Sequence, residues 1–158
     1  MAETLAMMHW IGEMDANDIE FVLASPPNQS LYGIHHSTEV ATTSPPSQPK
    51  VESNAFGSHS MWILDFDLCR RMTMGSKGVE QAATAFWRND SYYPRPSKYC
   101  DTGVSLWLDF KEHYLQISET CIAMACGISG QQEIERRRAL AKQLINLIEQ
   151  ERNLKMLS

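Results

Sequence analysis

Met61-Trp62-Ile63-Leu64-Asp65-Phe66-Asp67-Leu68-Cys69 is the stretch on which the fold reading turns. Its first six residues favour extended structure, and they run straight into two aspartates one residue apart. Read as a strand, Trp62, Leu64 and Phe66 share one face. Ile63, Asp65 and Asp67 share the other if extension continues that far. Upstream, Ile19-Glu20-Phe21-Val22-Leu23-Ala24 alternates in the same way. The two runs are expected to pair antiparallel.

Between them, residues 25–60 carry Pro26, Pro27, Pro45, Pro46 and Pro49 among many Ser, Thr, Asn and Gln. That composition cannot bury enough apolar surface to offset chain entropy, so a long disordered loop is expected. His35, His36 and His59 fall in it as solvated side chains.

The remaining chain reads as helix. Leu5, Met8 and Ile11 repeat at helical spacing over 2–12, before the turn chemistry of Asp15-Ala16-Asn17-Asp18. This helix starts abruptly, which predicts a partner surface in a longer homologue or a shortened gene model. Val79, Ala82, Ala83 and Phe86 stripe a helix over 78–88, and Tyr92-Tyr93-Pro94-Arg95-Pro96 is extended. Trp107, Phe110, Tyr114, Ile117, Cys121 and Met124 stripe a helix over 104–125, stopped by Gly127 and Gly130. A last helix covers 131–154. The sum is one α+β domain: a two-stranded antiparallel hairpin with a long disordered loop, packed on four main helices. Its segments are 1–24 (helix and first strand), 25–60 (loop), 61–126 and 127–158 (C-terminal helix).

Composition narrows function. Fourteen Lys and Arg stand against nineteen Asp and Glu, a formal charge of −5, which argues against nucleic acid as the main partner. No apolar run is long enough to span a bilayer, and no basic segment opens a secretory signal. Cys69, Cys100, Cys121 and Cys126 are widely spaced and read as free thiols of an intracellular protein, cytoplasmic or nuclear. Zinc is not expected: Cys121 and Cys126 are five apart and do not share a helix face. Arg136-Arg137-Arg138 reads first as a solvated face beside Glu133 and Glu135, and otherwise as a localisation signal or acidic-partner contact.

Two segments resemble parts of a protein-kinase active site. There a catalytic Asp stands five residues before a metal ligand entering a strand, and the next strand ends in a metal-binding Asp followed by Phe. Asp15 stands five residues before Glu20, and Leu64-Asp65-Phe66-Asp67 ends the second strand. The resemblance implies Asp15 as base, and Glu20, Asp65 and Asp67 as ligands of Mg²⁺, which takes hard oxygen donors. It also implies a fold like the C-terminal lobe of a kinase. This sequence departs from it: Glu20 replaces Asn, Asp67 replaces Gly, and there is no glycine-rich loop or strand lysine. The bland alternative makes Asp15, Asp18, Asp65 and Asp67 turn and capping residues.

Residues 61–121 also resemble a fungal domain of unknown function whose members carry a zinc-finger-protein label. The resemblance rests on Met61–Asp67, Gly78-Val79-Glu80-Gln81-Ala82, Ala85-Phe86-Trp87-Arg88-Asn89-Asp90, Tyr92-Tyr93-Pro94-Arg95-Pro96, Trp107, Phe110 and Tyr114-Leu115. Ser91 stands where the family has Pro. The resemblance implies a fungal intracellular protein with no established activity. Three functions are therefore carried forward. The first is a non-catalytic interaction or structural module that binds a protein partner or the missing region of a longer homologue, with no cofactor. The second is a degenerate phosphotransferase fragment holding Mg²⁺. The third is a zinc- and nucleic-acid-binding protein.

Overall fold

Asp101–Cys126 (α3) is the helix on which the others are built. In a computed structural model, the structure describes residues 1–24, 51–53, 57–97, 101–127 and 130–155. The other helices are Ala2–Trp10 (α1), Ser76–Arg88 (α2) and Gln131–Lys155 (α4). The strands are Glu20–Ala24 (β1), Val51–Ser53 (β2) and Gly57–Leu64 (β3). Mixed helix and strand with four helices is thus the fold class expected. The described chain divides into two units: Met1–Glu20 with Asp65–Ser158, and Phe21–Leu64.

In the helical unit, α1 and α4 each pack on α3, and α2 packs on α4. Trp107, Phe110 and Tyr114 are buried and stack in succession, with ring centroids 5.6 and 6.1 Å apart. Phe86 of α2 meets Trp107 and Phe110 at 6.2 and 5.8 Å. Beyond Tyr114 the buried line continues through Ser118, Ile122 and Cys126, steps of four, as well as Cys121. Met124, expected in the stripe, is 70% exposed instead. An α-helix turns 3.6 residues per cycle, so a face followed over six turns slides across the expected positions.

α1 has only nine residues and no side-chain N-cap, too short to persist alone. It is held by what it buries. Leu5, Ala6, His9 and Trp10 are at most 3% exposed. Trp10 Nε1 donates to Tyr114 Oη at 3.0 Å and Ser118 Oγ at 2.9 Å, while Ser118 Oγ donates to the Tyr114 carbonyl at 2.6 Å. His9 Nδ1 lies 2.9 Å from Tyr114 Oη. Every polar group that α1 buries here has a partner, as burial requires.

α2 starts where the chain folds tightly on itself. A Cβ on Gly78 would fall 1.9 Å from the Thr73 carbonyl oxygen, so no side chain fits there without moving the 73–75 turn. Gly127, at φ +51°, ends α3 in the left-handed conformation that suits glycine. The Arg136–Arg138 run is a paired helix face. Arg136 and Arg137 hold Glu133, Arg137 also holds Glu13 at 3.0 Å, and Arg138 holds Glu119 and Glu135.

The Phe21–Leu64 unit is a sheet of order β1-β3-β2. β1 and β3 are neighbours, as the two alternating runs suggested. The two-stranded hairpin, however, is corrected to three strands. β3 begins at Gly57 rather than Met61, and β2 pairs antiparallel with it through Val51↔His59, Glu52↔Ser58 and Ser53↔Gly57. The disordered-loop expectation therefore fails at 51–53 and 57–60; its remainder, 25–50 and 54–56, lies outside the described residues. Prolines drove that expectation, and none falls in these strand segments. β3 also ends earlier than expected. Asp65 has φ +61°, which breaks extension, so Phe66 and Asp67 do not continue the strand.

Candidate functional site

The chemistry-bearing residues converge on one short loop. Between α1 and β1, Glu13, Ala16 and Asp18 all adopt left-handed φ, at 52°, 53° and 65°. Each costs about 1–2 kcal/mol in an ordinary side chain, so the loop needs external restraint. The first restraint is an antiparallel bridge, with Asp15 N–H donating to the Arg70 carbonyl at 2.9 Å and Met72 N–H to the Glu13 carbonyl at 2.8 Å. The second is Asn89. Its Oδ1 accepts from Asp18 N–H at 2.6 Å and its Nδ2 donates to the Ala16 carbonyl at 3.0 Å. The third is Tyr93, whose hydroxyl donates to the Ile19 carbonyl at 2.7 Å. Arg95 holds the latch from behind: its Nη2 donates to the Asn89 carbonyl at 2.6 Å, and its guanidinium lies 5.2 Å from the Trp87 ring centre. The Phe86-to-Pro96 block thus has a structural role here, clamping the loop.

Asp15, the expected base, is 5% exposed. Its Oδ1 accepts from Arg70 N–H at 2.9 Å and Asn17 N–H at 3.2 Å, and its Oδ2 from Gln81 Nε2 at 2.7 Å. These three donors engage the carboxylate in holding the loop to the 70–72 segment and to α2.

The expected metal ligands fall elsewhere. Asp67 raises the Asp65 carboxyl to about 6, with lesser contributions from Asp18 and Glu20. Asp67 is the main neighbour of Asp65, with Asp18 and Glu20 within electrostatic reach of it, but no three of the described acids are grouped to hold a metal, and Asp15 is not among these neighbours. Because the folded state raises this carboxyl above its ordinary 3.8, ionised Asp65 disfavours folding above about pH 6. That penalty fades as pH falls through 6 toward 3.8. Asp65→Asn is accordingly expected to raise the melting temperature near pH 7 and to give no gain below about pH 4. Thermal melts of both proteins at the two pH values check this.

Beside Asp15 lies a cleft of about 440 Å³. One wall is the outer edge of α2: Gln81, Thr84, Ala85 and Arg88, spaced as one helix face. The other wall is Leu68 and Arg70, with Asp15 and Asn17 at the loop. Arg70 Nη1 donates to the Asp67 and Cys69 carbonyls at 2.7 and 2.9 Å, which fixes its guanidinium. Sequence reasoning missed Gln81, Thr84 and Arg88 because it followed the apolar stripe of α2. Their i, i+3, i+7 spacing was the available signal.

The described residues do not fit a zinc ion. No three or more of their His, Cys, Asp and Glu are grouped to hold a metal. Cys69, Cys121 and Cys126 are free and buried, and burial pushes the Cys69 and Cys121 thiols up, away from the thiolate that ligation needs. Cys100, His35 and His36 lie outside the described residues. No helix among the described residues is long and apolar enough to cross a membrane.

Residues 61–125 match a family of unknown function described as "Zinc finger protein". The match covers less than half of the chain, from within β3 to nearly the end of α3. It contains the whole latch block, Phe86 to Pro96, and every residue lining the cleft except Asp15 and Asn17. No curated protein matches the chain, and no solved structure does.

Proposed function

We propose that this chain is a non-catalytic interaction module, intracellular, that recognises a protein partner through its helical unit. One observation carries the reading. The carboxylate best placed to act as a base, Asp15, is occupied by Arg70, Asn17 and Gln81 within the fold. A general base needs reach to a substrate proton; here the reach is spent on the chain itself. The latch around it supports a binding surface, and Arg70 and Arg88, neither paired with an acid among the described residues, line the cleft beside it. Panning a random peptide library against the purified chain is expected to enrich a consensus sequence. Titration with Mg·ATP is expected to give no heat, because this sequence carries no glycine-rich loop or strand lysine to seat the phosphates. Failure to enrich any sequence, or saturable heat with phosphate transfer, overturns the proposal.

The second reading is a degenerate phosphotransferase fragment of kinase-like fold with Mg²⁺ on Glu20, Asp65 and Asp67. It draws support from the repulsion that raises Asp65, which a dication would relieve, and stands against the absence of any metal-holding group of three acids among the described residues. A Mg²⁺-dependent rise in melting temperature that disappears in Asp65→Asn would favour it over the interaction module.

A further inference from the structure

Among the described residues, the arginines differ in whether they meet an acid. Arg136, Arg137 and Arg138 each hold a carboxylate. Arg95 is absorbed by the carbonyls of Trp87, Asn89 and Asp90. Arg70, Arg71 and Arg88 have no acid partner among the described residues, and of these Arg70 and Arg88 line the same cleft. Arg70 is also preorganised: its Nη1 is held by two carbonyls, so its Nε and Nη2 hydrogens remain as a forked edge. That edge matches the two oxygens of a carboxylate or phosphate.

Arg88 has a simpler role available, as a last-turn cation favoured by the α2 dipole. That role does not account for a second arginine without an acid partner lining the same cleft. Asp15 lines the cleft too, and its charge opposes an anion placed beside it. Its oxygens are already met by three N–H donors, and with Gln81 alone on Oδ2, that oxygen has room for one more. A ligand that fits must therefore carry an oxyanion on the arginine side and a hydrogen-bond donor next to it. An acidic side chain and its own peptide N–H satisfy both conditions.

We propose that the cleft between the 68–70 turn and the outer edge of α2 binds the oxyanion of an acidic peptide segment, gripped by Arg70 and Arg88. The shared chemistry is the oxyanion, which Asp, Glu or a phosphorylated residue would supply. The cleft volume takes one such side chain and its neighbours, not a folded surface. This deepens the interaction-module reading and rests on it.

The test uses the full chain and labelled peptides of one frame in which the central residue is Glu, phosphoserine, Gln or Lys, read by fluorescence anisotropy. Binding is expected for Glu, phosphoserine or both, weakening with added salt, and the difference between those two arms identifies carboxylate or phosphate. Arg88→Gln is expected to weaken it about tenfold or more, the usual cost of losing a charge-assisted bond. Arg88 has no acid partner among the described residues, so the variant should lose no more melting stability than a helix-end cation gives. Arg70→Gln is the second variant, and its loss should be read beside its melting curve, because Arg70 also holds the 67–69 turn. Equal binding of Gln or Lys peptides, Arg88→Gln binding as the parent, or no binding of either acidic peptide overturns the oxyanion site. A library consensus that is not acidic would overturn the site while leaving the interaction module standing. An absence of any consensus would overturn the module itself.

Discussion

Trp10→Ala should lower the unfolding free energy by about 4 kcal/mol, within the range for emptying a buried aromatic site. Trp10 is 0% exposed, and its indole supplies the hydrogen that both Tyr114 Oη and Ser118 Oγ accept. Alanine leaves a cavity and two hydroxyls short of a donor. The effect spreads because α1 cannot stand alone: without its largest anchor, Leu5, Ala6 and His9 lose their place as well. Trp10→Phe isolates the hydrogen-bonding part and should cost less, about 1–2 kcal/mol. Denaturant midpoints of the three proteins measure the series. An alanine variant that unfolds at the parental midpoint would show that α1 does not pack on α3 as described.

Acid should release the same helix. Burial lowers His9 from its ordinary 6.5 to about 4, more than the Asp15 backbone bond and the Asp15 charge can raise it. The folded state therefore keeps the ring neutral while the unfolded chain protonates near 6.5. The stabilisation is complete above that value and is lost as pH falls from 6.5 toward 4. Over that interval the loss is about 3 kcal/mol. Asp65 acts with the opposite sign in the same window, so its contribution partly offsets the loss. His9→Gln, which keeps a donor and an acceptor but does not titrate, should flatten the pH dependence. Denaturant midpoints near pH 7 and pH 4.5 in both proteins decide it; parallel slopes would place the titrating group elsewhere.

The helices were legible because their cores repeat. Trp107, Phe110 and Tyr114 announce α3 by spacing alone. The same rule failed at Met124, where small differences in rotation per residue accumulate along a long helix. β2 was hidden because Val51-Glu52-Ser53 is three residues with no alternation long enough to count. Asp15 and Asp18 were readable as turn residues from local chemistry. What no local pattern reveals is the bridge of 13–15 to 70–72, more than fifty residues away, which makes the cleft. The reach of Asp18, Glu20 and Asp67 to Asp65 was inferable only through the adjacency of β1 and β3. Gln81, Thr84 and Arg88 stayed invisible because a polar helix face is ordinarily just solvated.

The chain leaves the helical unit after Glu20 and re-enters it at Asp65. Just beyond those two points, the 13–15 and 70–72 segments are already tied together. The intervening excursion is thus an appendix whose roots are fixed independently of its length. Doubling such an excursion costs only about 0.6 kcal/mol in closure entropy. Relatives of this chain can therefore differ greatly in size at this one place and still assemble the same helices, and a foreign segment grafted there would inherit a ready-made anchorage.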